Sequence, residues 1–403
     1  MSGVSPEHGP IGDDGRVSDE RPTPDPTAGP VPGPAAASDT DVTEDYEPEP
    51  ATRRATTLAA SLLATLAIVA VMAFLPAPYA VRGPGPTEDV LGAQDGQELI
   101  QIKDEQTYPA TGELRLVTVS VSGGPGFPAD ALTVLRGWVD EKRSVVPVES
   151  VFDLDQSREE VDAENQAEMT SSQESATVAA LTELGYTVPA TLTVVGTVEG
   201  SGAEGVVADG DVLTSVDGDE LVTYDDLVDD LAKTSPGDDV ELGVTRDGEP
   251  TTVTVTMSDI QGRTSLGVYL DQQFDLPVDV QIQIEDIGGP SAGTMFALGI
   301  IDKLTPEDEA NGHVIAGTGT MSVDGQVGAI GGIRQKLYGA QRDGATWFLA
   351  PTSNCNEVVG NVPDGMHVTA VSTLTEALAA VTAIGQDDTD GLPTCEQAVE
   401  GKG

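Results

Sequence analysis

The sequence is poor in the residues that build metal centres. Its 403 residues include only three histidines and two cysteines. His8, His313 and His367 are too few and too scattered along the chain to form ligand sets with those cysteines. Because a structural zinc site needs four converging ligands, the sequence predicts no metal site, and it gives no sign of a cofactor.

Basic residues are also scarce. The chain has 19 Lys and Arg against 68 Asp and Glu, for a net charge of −49. A protein so acidic repels the phosphate backbone, so nucleic acid is excluded as a partner. Residues 1–54 have almost no large apolar side chains and are rich in Pro, Gly, Asp and Glu. Such a segment cannot bury enough surface to offset its ordering entropy, so we predict a disordered tail.

One long apolar run follows that tail, from Ala55 to Leu75, interrupted only by Thr and Ser. About 20 residues suffice to cross a bilayer, so we predict a transmembrane helix over residues 55–76 and a linker over 77–107. Arg53 and Arg54 precede the run, which favours a cytoplasmic N-terminus and an extracytoplasmic C-terminal part. A cleaved signal peptide is the alternative, although the preceding segment is unusually long for one.

A glycine-rich turn with a single hydroxyl lies between an alternating segment and an apolar one. It reads Asp286-Ile287-Gly288-Gly289-Pro290-Ser291-Ala292-Gly293 and is followed at once by an apolar helix-like run. A helix start offers unpaired backbone N–H groups and the positive end of a dipole, both of which stabilise an oxyanion. Ser291 is therefore a candidate nucleophile, with Gly289, Pro290 and Ala292 forming its turn.

A candidate base lies 45 positions further on, at Lys336. At about 100° per residue, Ile333, Lys336, Leu337 and Ala340 share one helix face. Lys336 then lies within an apolar stripe, where burial lowers the pKa of the ammonium and prepares it to take a proton from serine. A lysine on such a stripe can also extend its ammonium to solvent, which is the structural alternative.

These two segments resemble the proteolytic domain of Lon-type serine proteases, which use a Ser/Lys dyad. The resemblance rests on two blocks in the same order and with similar spacing, Gly289–Gly293 and Gly317–Lys336. It implies that Ser291 is the nucleophile, that Lys336 is the general base and that Thr318 orients the lysine. Family members often carry a lysine before the turn, where this chain has Ile287 and Gly288. Lon-type domains commonly form hexamers, so a homo-hexamer is one candidate assembly.

A second resemblance covers residues 188–258. The order of strands, turns and one helix, and the block Gly210-Asp211-Val212-Leu213 ending in Val216-Asp217-Gly218, are similar to PDZ domains of bacterial proteases. Such domains bind extended peptides at a sheet edge and hold their carboxylate on backbone N–H groups. We place that carboxylate loop at Gly185, Tyr186, Thr187 and Val188. A spacer that binds no peptide is the alternative.

Together these features predict an α+β chain in which a PDZ-like module interrupts a Lon-like domain. The first part of that domain takes residues 108–187, the catalytic part residues 259–385, and a C-terminal tail residues 386–403. Cys355 and Cys395 are expected on the exterior, either as two free thiols or as a disulfide that ties the tail to the catalytic fold in an oxidising compartment.

The resulting functional prediction is an ATP-independent serine endopeptidase, anchored in the cytoplasmic membrane and acting on extracytoplasmic proteins or peptides. No Gly-x-x-x-x-Gly-Lys-Ser/Thr loop occurs that would hold ATP. One alternative is a hydrolase that uses Ser291 in a Gly-x-Ser-x-Gly elbow with His367 and Asp364. The other is a catalytically silent, membrane-anchored PDZ scaffold that binds peptides.

Overall fold

The computed structural model describes residues 52–94, 96–153, 155–260, 262–284 and 287–401. Most of the predicted disordered tail (residues 1–51) and Asp286 lie outside these ranges. In the described part, the α-helices are α1 Arg53–Phe74, α2 Ala131–Val139, α3 Arg158–Glu183, α4 Tyr224–Leu231, α5 Gly293–Leu304, α6 Ile333–Arg342, α7 Cys355–Val358, α8 Leu374–Gly385 and α9 Cys395–Glu400.

The described chain contains strands as well as these helices, so the predicted mixture of helix and sheet is confirmed. They are β1 Tyr79–Asp89, β2 Ala93–Gln94, β3 Gln97–Glu98, β4 Ile100–Lys103, β5 Glu113–Ser122, β6 Ser144–Pro147, β7 Ala190–Thr197, β8 Val212–Val216, β9 Asp219–Glu220, β10 Asp239–Arg246, β11 Glu249–Thr256, β12 Ser258–Ile260, β13 Arg263–Ser265, β14 Val268–Phe274, β15 Asp279–Ile282, β16 Val314–Gly317, β17 Thr320–Met321, β18 Val327–Gly328, β19 Trp347–Pro351 and β20 His367–Val371.

The larger sheet joins segments that are far apart in the sequence. Its strand order is β20-β19-β16-β5-β1-β6. Strands β5, β16, β19 and β20 run parallel, whereas β1 is antiparallel to β5 and to β6. Three of these strands precede the second sheet in the chain and three follow it. The chain therefore returns to the same sheet after the intervening module.

That module has its own sheet and its own core. The strand order is β11-β10-β8-β7-β14, with β9 beside β8. Its core is apolar and includes Leu192, Val194, Leu242 and Val255, all about 1% exposed or less. The sheet extends past the predicted boundary at residue 258, because β14 pairs antiparallel with β7 and continues to Phe274. Among the described strands, β14 has no second neighbour, so it forms an edge of the sheet, as β11 does at the other end.

Helix α3 is continuous over 26 residues, from Arg158 to Glu183. A capping box formed by Ser157 and Glu160 satisfies the N–H groups at its start. No glycine or proline interrupts the following residues, and the helix ends at Glu183, two residues before Gly185, which has a φ of +84°. Its second half buries Met169, Ser172 and several alanines against α5. The solvated first half is therefore stabilised as an extension of the packed second half.

Helix α5 lies at the centre of the main core. Every residue from Gly293 to Lys303 is buried, which is the pattern of a helix covered on all sides. It packs against α3, α8 and β5. Because the predicted nucleophile precedes α5 directly, this packing fixes the position of the turn that carries Ser291.

Helix α1 is the described helix that is long and apolar enough to cross a membrane. Its span of Arg53–Val71 has no buried share in the structure. Length and composition alone support this reading, and core helices or signal sequences can share both properties.

Candidate active site

The turn that carries Ser291 is held in place by helix α3. Gly289 has a φ of +85°, a left-handed conformation that favours glycine. The Gly289 N–H donates to the Asn165 carbonyl oxygen at 2.9 Å. The Ser172 hydroxyl donates to the Pro290 carbonyl oxygen at 3.0 Å. Both sides of the predicted turn are thus fixed by a helix more than 100 residues earlier in the chain.

Lys336 reaches Ser291 from helix α6. Gly332, with a φ of +72°, redirects the chain into the helix, and Lys336 lies on its buried side at 2% exposure. The Lys336 Nζ is 2.7 Å from the Ser291 Oγ. This is within the range needed for direct proton transfer between a base and a nucleophile. The structure therefore brings together the two residues that the sequence named as a dyad.

Burial sets the protonation state of Lys336. Desolvation lowers its pKa from 10.5 to about 7. No ion pair offsets that cost, since no carboxylate among the described residues lies within 4.0 Å of its ammonium. A lysine with this pKa is partly neutral near pH 7, so its nitrogen lone pair is available to accept the serine proton.

Thr318 joins the lysine to the serine backbone. It is fully buried and directly follows β16. Its Oγ1 accepts a hydrogen bond from Lys336 Nζ at 2.9 Å and donates one to the Ser291 carbonyl oxygen at 2.9 Å. The threonine hydroxyl uses both its donor and an acceptor position, so it restricts the orientation of the amine.

The same carbonyl of Ser291 also accepts the Gly319 N–H at 3.0 Å. Gly319 has a φ of +153°, and a Cβ at this position would lie 2.4 Å from the Thr294 hydroxyl. A side chain cannot be placed there without displacing the first turn of α5. The glycine is therefore required for the close approach of these two segments.

Backbone donors for an oxyanion lie beside Ser291. In the described part of the chain, no backbone or side-chain acceptor bonds the N–H of Ser291, Ala292 or Gly293. These groups precede the first turn of α5, where the helix dipole adds positive potential. Ala292 is buried at 4% exposure. The predicted turn residues therefore lie where they can stabilise negative charge on a substrate oxygen.

A cleft leads to the dyad. Ser291 and Lys336 line a cavity of about 690 Å³ together with Thr118, Val119 and Ile287. A second cavity of about 770 Å³ shares Val119, Ile287 and other wall residues with the first, and it extends to Phe127 and Phe152. Because they share these wall residues, the two cavities lie next to each other along β5. The combined space is large enough for an extended stretch of polypeptide.

The predicted carboxylate loop does not have the geometry of one. Gly185 and Tyr186 form the C-terminal cap of α3, and their N–H groups donate to the carbonyl oxygens of Thr182 and Leu181. Val188 is buried at 3% exposure. Because the first two N–H groups are already paired and Val188 is covered, this segment has few groups left to hold a carboxylate. Strand β14 is one of the two terminal strands of the module's described sheet, the other being β11, and the short connection Leu266-Gly267 joins it to β13.

His367 does not serve Ser291 in this structure. It lies on the edge strand β20, with its ring stacked on that of Trp347 at 4.8 Å between centroids. The Ser291 hydroxyl is instead hydrogen-bonded to Lys336. The recorded hydrogen bond of Asp364 is made by its backbone carbonyl oxygen, which accepts from the Gln341 side-chain amide. The Ser/His arrangement considered from the sequence is not assembled.

The two cysteines form a disulfide with an S–S distance of 2.09 Å. Both were expected on the exterior, but each is only 1% exposed. The expectation was wrong because α9 folds back over α7 and β20, and so covers the bridge. This arrangement attaches the C-terminal segment to the sheet that carries Thr318.

Sequence reasoning missed the residues of α3 that support the turn. Ser172 is a buried serine at 4% exposure, separated by 118 positions from its partner Pro290. One signal was present in the sequence, namely a hydroxyl residue within the small-residue run Ser171-Ser172 of an amphipathic helix. Nothing local indicates which segment that hydroxyl contacts.

Comparisons with known proteins agree with this geometry. Residues 254–383 match the model of the Lon protease (S16) C-terminal proteolytic domain, and residues 169–257 match that of the PDZ domain. The chain therefore contains a proteolytic domain of the Lon type, from a family of serine peptidases, and a PDZ domain.

Relatives support the same assignment over a limited length. A Lon protease of Clostridioides difficile is 34% identical over 116 residues, which are 27% of this chain and 14% of that protein. Lon protease 2 of Herpetosiphon aurantiacus is 36% identical over 108 residues, 25% of this chain and 13% of that protein. The chain thus matches less than a fifth of the length of these curated relatives.

Among solved structures, the PDZ domain of an SdrC-like protein from Listeria innocua is 18% identical, with a TM-score of 0.19. The match covers 20% of this chain and 92% of that one.

Proposed function

We propose that the chain is a serine endopeptidase with Ser291 as nucleophile and Lys336 as general base. The observation that carries this proposal is the distance of 2.7 Å between the Ser291 hydroxyl and a buried lysine amine. Neutral Lys336 takes the serine proton while Oγ attacks the carbonyl carbon of the scissile peptide bond. The N–H groups at 291–293 hold the resulting oxyanion.

The second half of the reaction uses the same two residues. The protonated lysine gives its proton to the leaving amine as the C–N bond breaks, which leaves an acyl ester on Ser291. Water then attacks the ester, with Lys336 as its base, and restores the free hydroxyl. Thr318 keeps the amine oriented between these steps.

The test compares the full chain with Ser291→Ala, Lys336→Ala and His367→Ala on an unfolded casein-like substrate. We expect the first two variants to lose cleavage and the third to retain it. Retained cleavage in Lys336→Ala would remove the dyad from the mechanism. The scaffold alternative would be favoured by a wild-type chain that binds peptides but forms no acyl-enzyme with a serine-reactive probe.

Peptide cleavage is proposed to be independent of ATP. No nucleotide-binding loop of the Gly-x-x-x-x-Gly-Lys-Ser/Thr type occurs in the sequence. Without an unfolding motor, the enzyme is limited to flexible or unfolded segments that fit the cleft beside Ser291. ATP added to a cleavage assay should leave the rate unchanged.

We further propose that the PDZ module captures substrate by strand addition at β14. Among the described strands, β14 pairs only with β7, so its second edge is free. Tyr224 at the start of α4 and Phe274 at the end of β14 pack against the same apolar cluster. A peptide added here extends the sheet and leaves its carboxylate near the connection Leu266-Gly267.

Hydrogen exchange distinguishes peptide binding at the edge of β14 from binding at the loop 185–188 that was predicted from the sequence. A peptide with a free C-terminal carboxylate should protect amides within β14 and leave those of residues 184–188 unchanged. The same peptide with an amidated terminus is the control and should protect more weakly. Protection confined to residues 184–188 would return the carboxylate site to its original assignment.

The site is proposed to act outside the cytoplasmic membrane, with α1 as the anchor. The paired arginines at its start favour a cytoplasmic N-terminus. A disulfide between Cys355 and Cys395 suits an oxidising compartment. Resistance of the protein to alkaline carbonate extraction, together with digestion of its C-terminal part by external protease, would test anchor and orientation.

A further inference from the structure

Helix α2 presents an apolar face to solvent. Leu132, Leu135, Trp138 and Val139 are 42%, 53%, 63% and 78% exposed, and we call these four residues the docking face. At about 100° per residue they lie on one side of the helix, away from the buried Val134 and Gly137. Four large apolar side chains on one short exposed helix form a contiguous patch of the kind that marks an interaction site.

This helix is attached to the point where the chain leaves α1. Helix α1 ends at Phe74. Pro76 forms a β-bridge with Asp130, the N-cap residue of α2, and the Ala77 N–H donates to the Ala129 carbonyl oxygen at 2.8 Å. Leu75, between the two helices in this arrangement, is 53% exposed. The start of α2 is therefore held within a few residues of the end of the proposed membrane helix.

The side chains on this face suit the bilayer interface. Trp138 is one of only two tryptophans in the chain, and its ring packs edge-on against Tyr79 at 6.0 Å between centroids. Tryptophan and tyrosine are enriched where a membrane meets water, because their rings are apolar and their N–H or O–H groups are polar. Leucine and valine beside them supply the apolar contact area of an interfacial helix.

The charge around the face does not oppose contact with an anionic surface. Arg136, Lys142 and Arg143 are exposed on or just after α2. The carboxylates of the same region are Asp130, Asp140 and Glu141, and Asp140 pairs with Arg143 at 3.2 Å. Lys142 also lies over the Tyr338 ring at 5.7 Å. The region is thus balanced in charge, in a chain whose net charge is −49.

We propose that the docking face lies on the outer surface of the membrane that α1 crosses, with its side chains among the lipid headgroups. This proposal rests on the anchoring in the proposed function. The contact would add a second attachment beside the anchor and fix the catalytic domain against the bilayer. Burial of the face supplies binding free energy, because removing apolar side chains from water is favourable.

The test uses the full chain reconstituted in lipid vesicles that contain phosphatidylglycerol. Lipids brominated near the headgroup end of the acyl chain quench tryptophan fluorescence by contact. The difference between wild type and Trp138→Phe isolates the signal of Trp138 without changing the core. We expect wild type to be quenched more than Trp138→Phe, and its emission to shift to shorter wavelength relative to detergent.

Two exposed substitutions and one matched control sharpen this test. Leu135→Glu and Val139→Glu place a charge in the docking face, so each should reduce the quenching of Trp138. Val195→Glu is the control, because Val195 is similarly exposed at 56% but lies in β7 of the PDZ module. It should leave the quenching unchanged.

The outcomes separate this proposal from failure of the anchor. If alkaline carbonate extracts the protein from the vesicles, α1 is not an anchor, and the docking proposal that rests on it is overturned as well. Carbonate-resistant protein in which Trp138 is not quenched would overturn the docking alone and leave the protease proposal intact. An unquenched Trp138 together with a change of oligomer size in Leu135→Glu would assign the face to contacts between copies of the chain.

Discussion

At the scale of single residues, the protonation of Lys336 determines both activity and stability. Its pKa is lowered to about 7 by burial, and only the neutral amine can accept the serine proton. We therefore expect kcat/KM to rise with pH through an inflection near 7. A profile that is flat from about pH 6 to 9 would show that Lys336 is not the base.

The same shift predicts how the stability of a Lys336→Met variant depends on pH. The unfolded chain keeps its lysine protonated up to about pH 10.5, whereas the folded chain releases that proton above about pH 7. Between these values the unfolded state binds more protons, so the stability of the wild type rises with pH. Lys336→Met avoids the buried charge. Its free energy of unfolding should exceed that of wild type by a few kcal/mol below about pH 7, and the excess should shrink toward about pH 10.

A substitution of Thr318 that keeps the size of the side chain tests whether its hydroxyl orients the Lys336 amine. Thr318→Val removes the hydroxyl that accepts from Lys336 and donates to the Ser291 carbonyl oxygen. Loss of these bonds in a buried site costs about 1–3 kcal/mol, which corresponds to roughly a 5- to 160-fold lower kcat. Thr318→Ser keeps the hydroxyl and should restore most of the rate. Loss of activity in Thr318→Ser with full activity in Thr318→Val would instead assign the effect to packing by the methyl group.

At the scale of secondary-structure elements, helix α3 positions the catalytic turn from outside it. Ser172→Ala removes the bond to the Pro290 carbonyl oxygen and should lower kcat about two- to tenfold, because small displacements of a nucleophile are costly. The neighbouring Ser171 is exposed, so Ser171→Ala is the matched control and should be silent. A KM effect with unchanged kcat would assign Ser172 to substrate binding.

The bridge between α7 and α9 is a second contact at this scale. Cys355 and Cys395 are 40 positions apart. Closing a loop of that length stabilises a fold by about 4 kcal/mol in the chain-entropy estimate. A Cys355→Ala/Cys395→Ala chain should therefore unfold at a lower temperature but still cleave peptides at moderate temperature. If its cleavage is lost while its fold is retained, the bridge acts on the active site.

At the scale of the whole molecule, local signals were read from the residues themselves, whereas the grouping of Ser291, Lys336 and Thr318 came from the resemblance to Lon-type proteases. The turn at Ser291 and the helix of Lys336 follow from short patterns, because their conformations depend on neighbouring residues. The attachment of Ser172 to that turn and the pairing of β14 with β7 join segments many positions apart. No periodicity encodes such partners. The use of the Gly185 and Tyr186 N–H groups in the cap of α3 was not predicted either, since a helix cap and a binding loop share the same glycine signal.

The net charge of the whole chain predicts a preference for cationic substrates. A net charge of −49 creates a negative potential that attracts cations over about a Debye length, which is about 10 Å at 0.1 M salt. We expect an unfolded cationic substrate to be cleaved with a higher kcat/KM than an unfolded anionic one of equal length. The ratio should fall toward one as salt is raised, while kcat for each substrate stays nearly constant, because long-range attraction speeds encounter and not chemistry. A preference that persists at high salt would instead locate the selection in close contacts within the cleft, where Glu168 lies in the wall shared by both cavities.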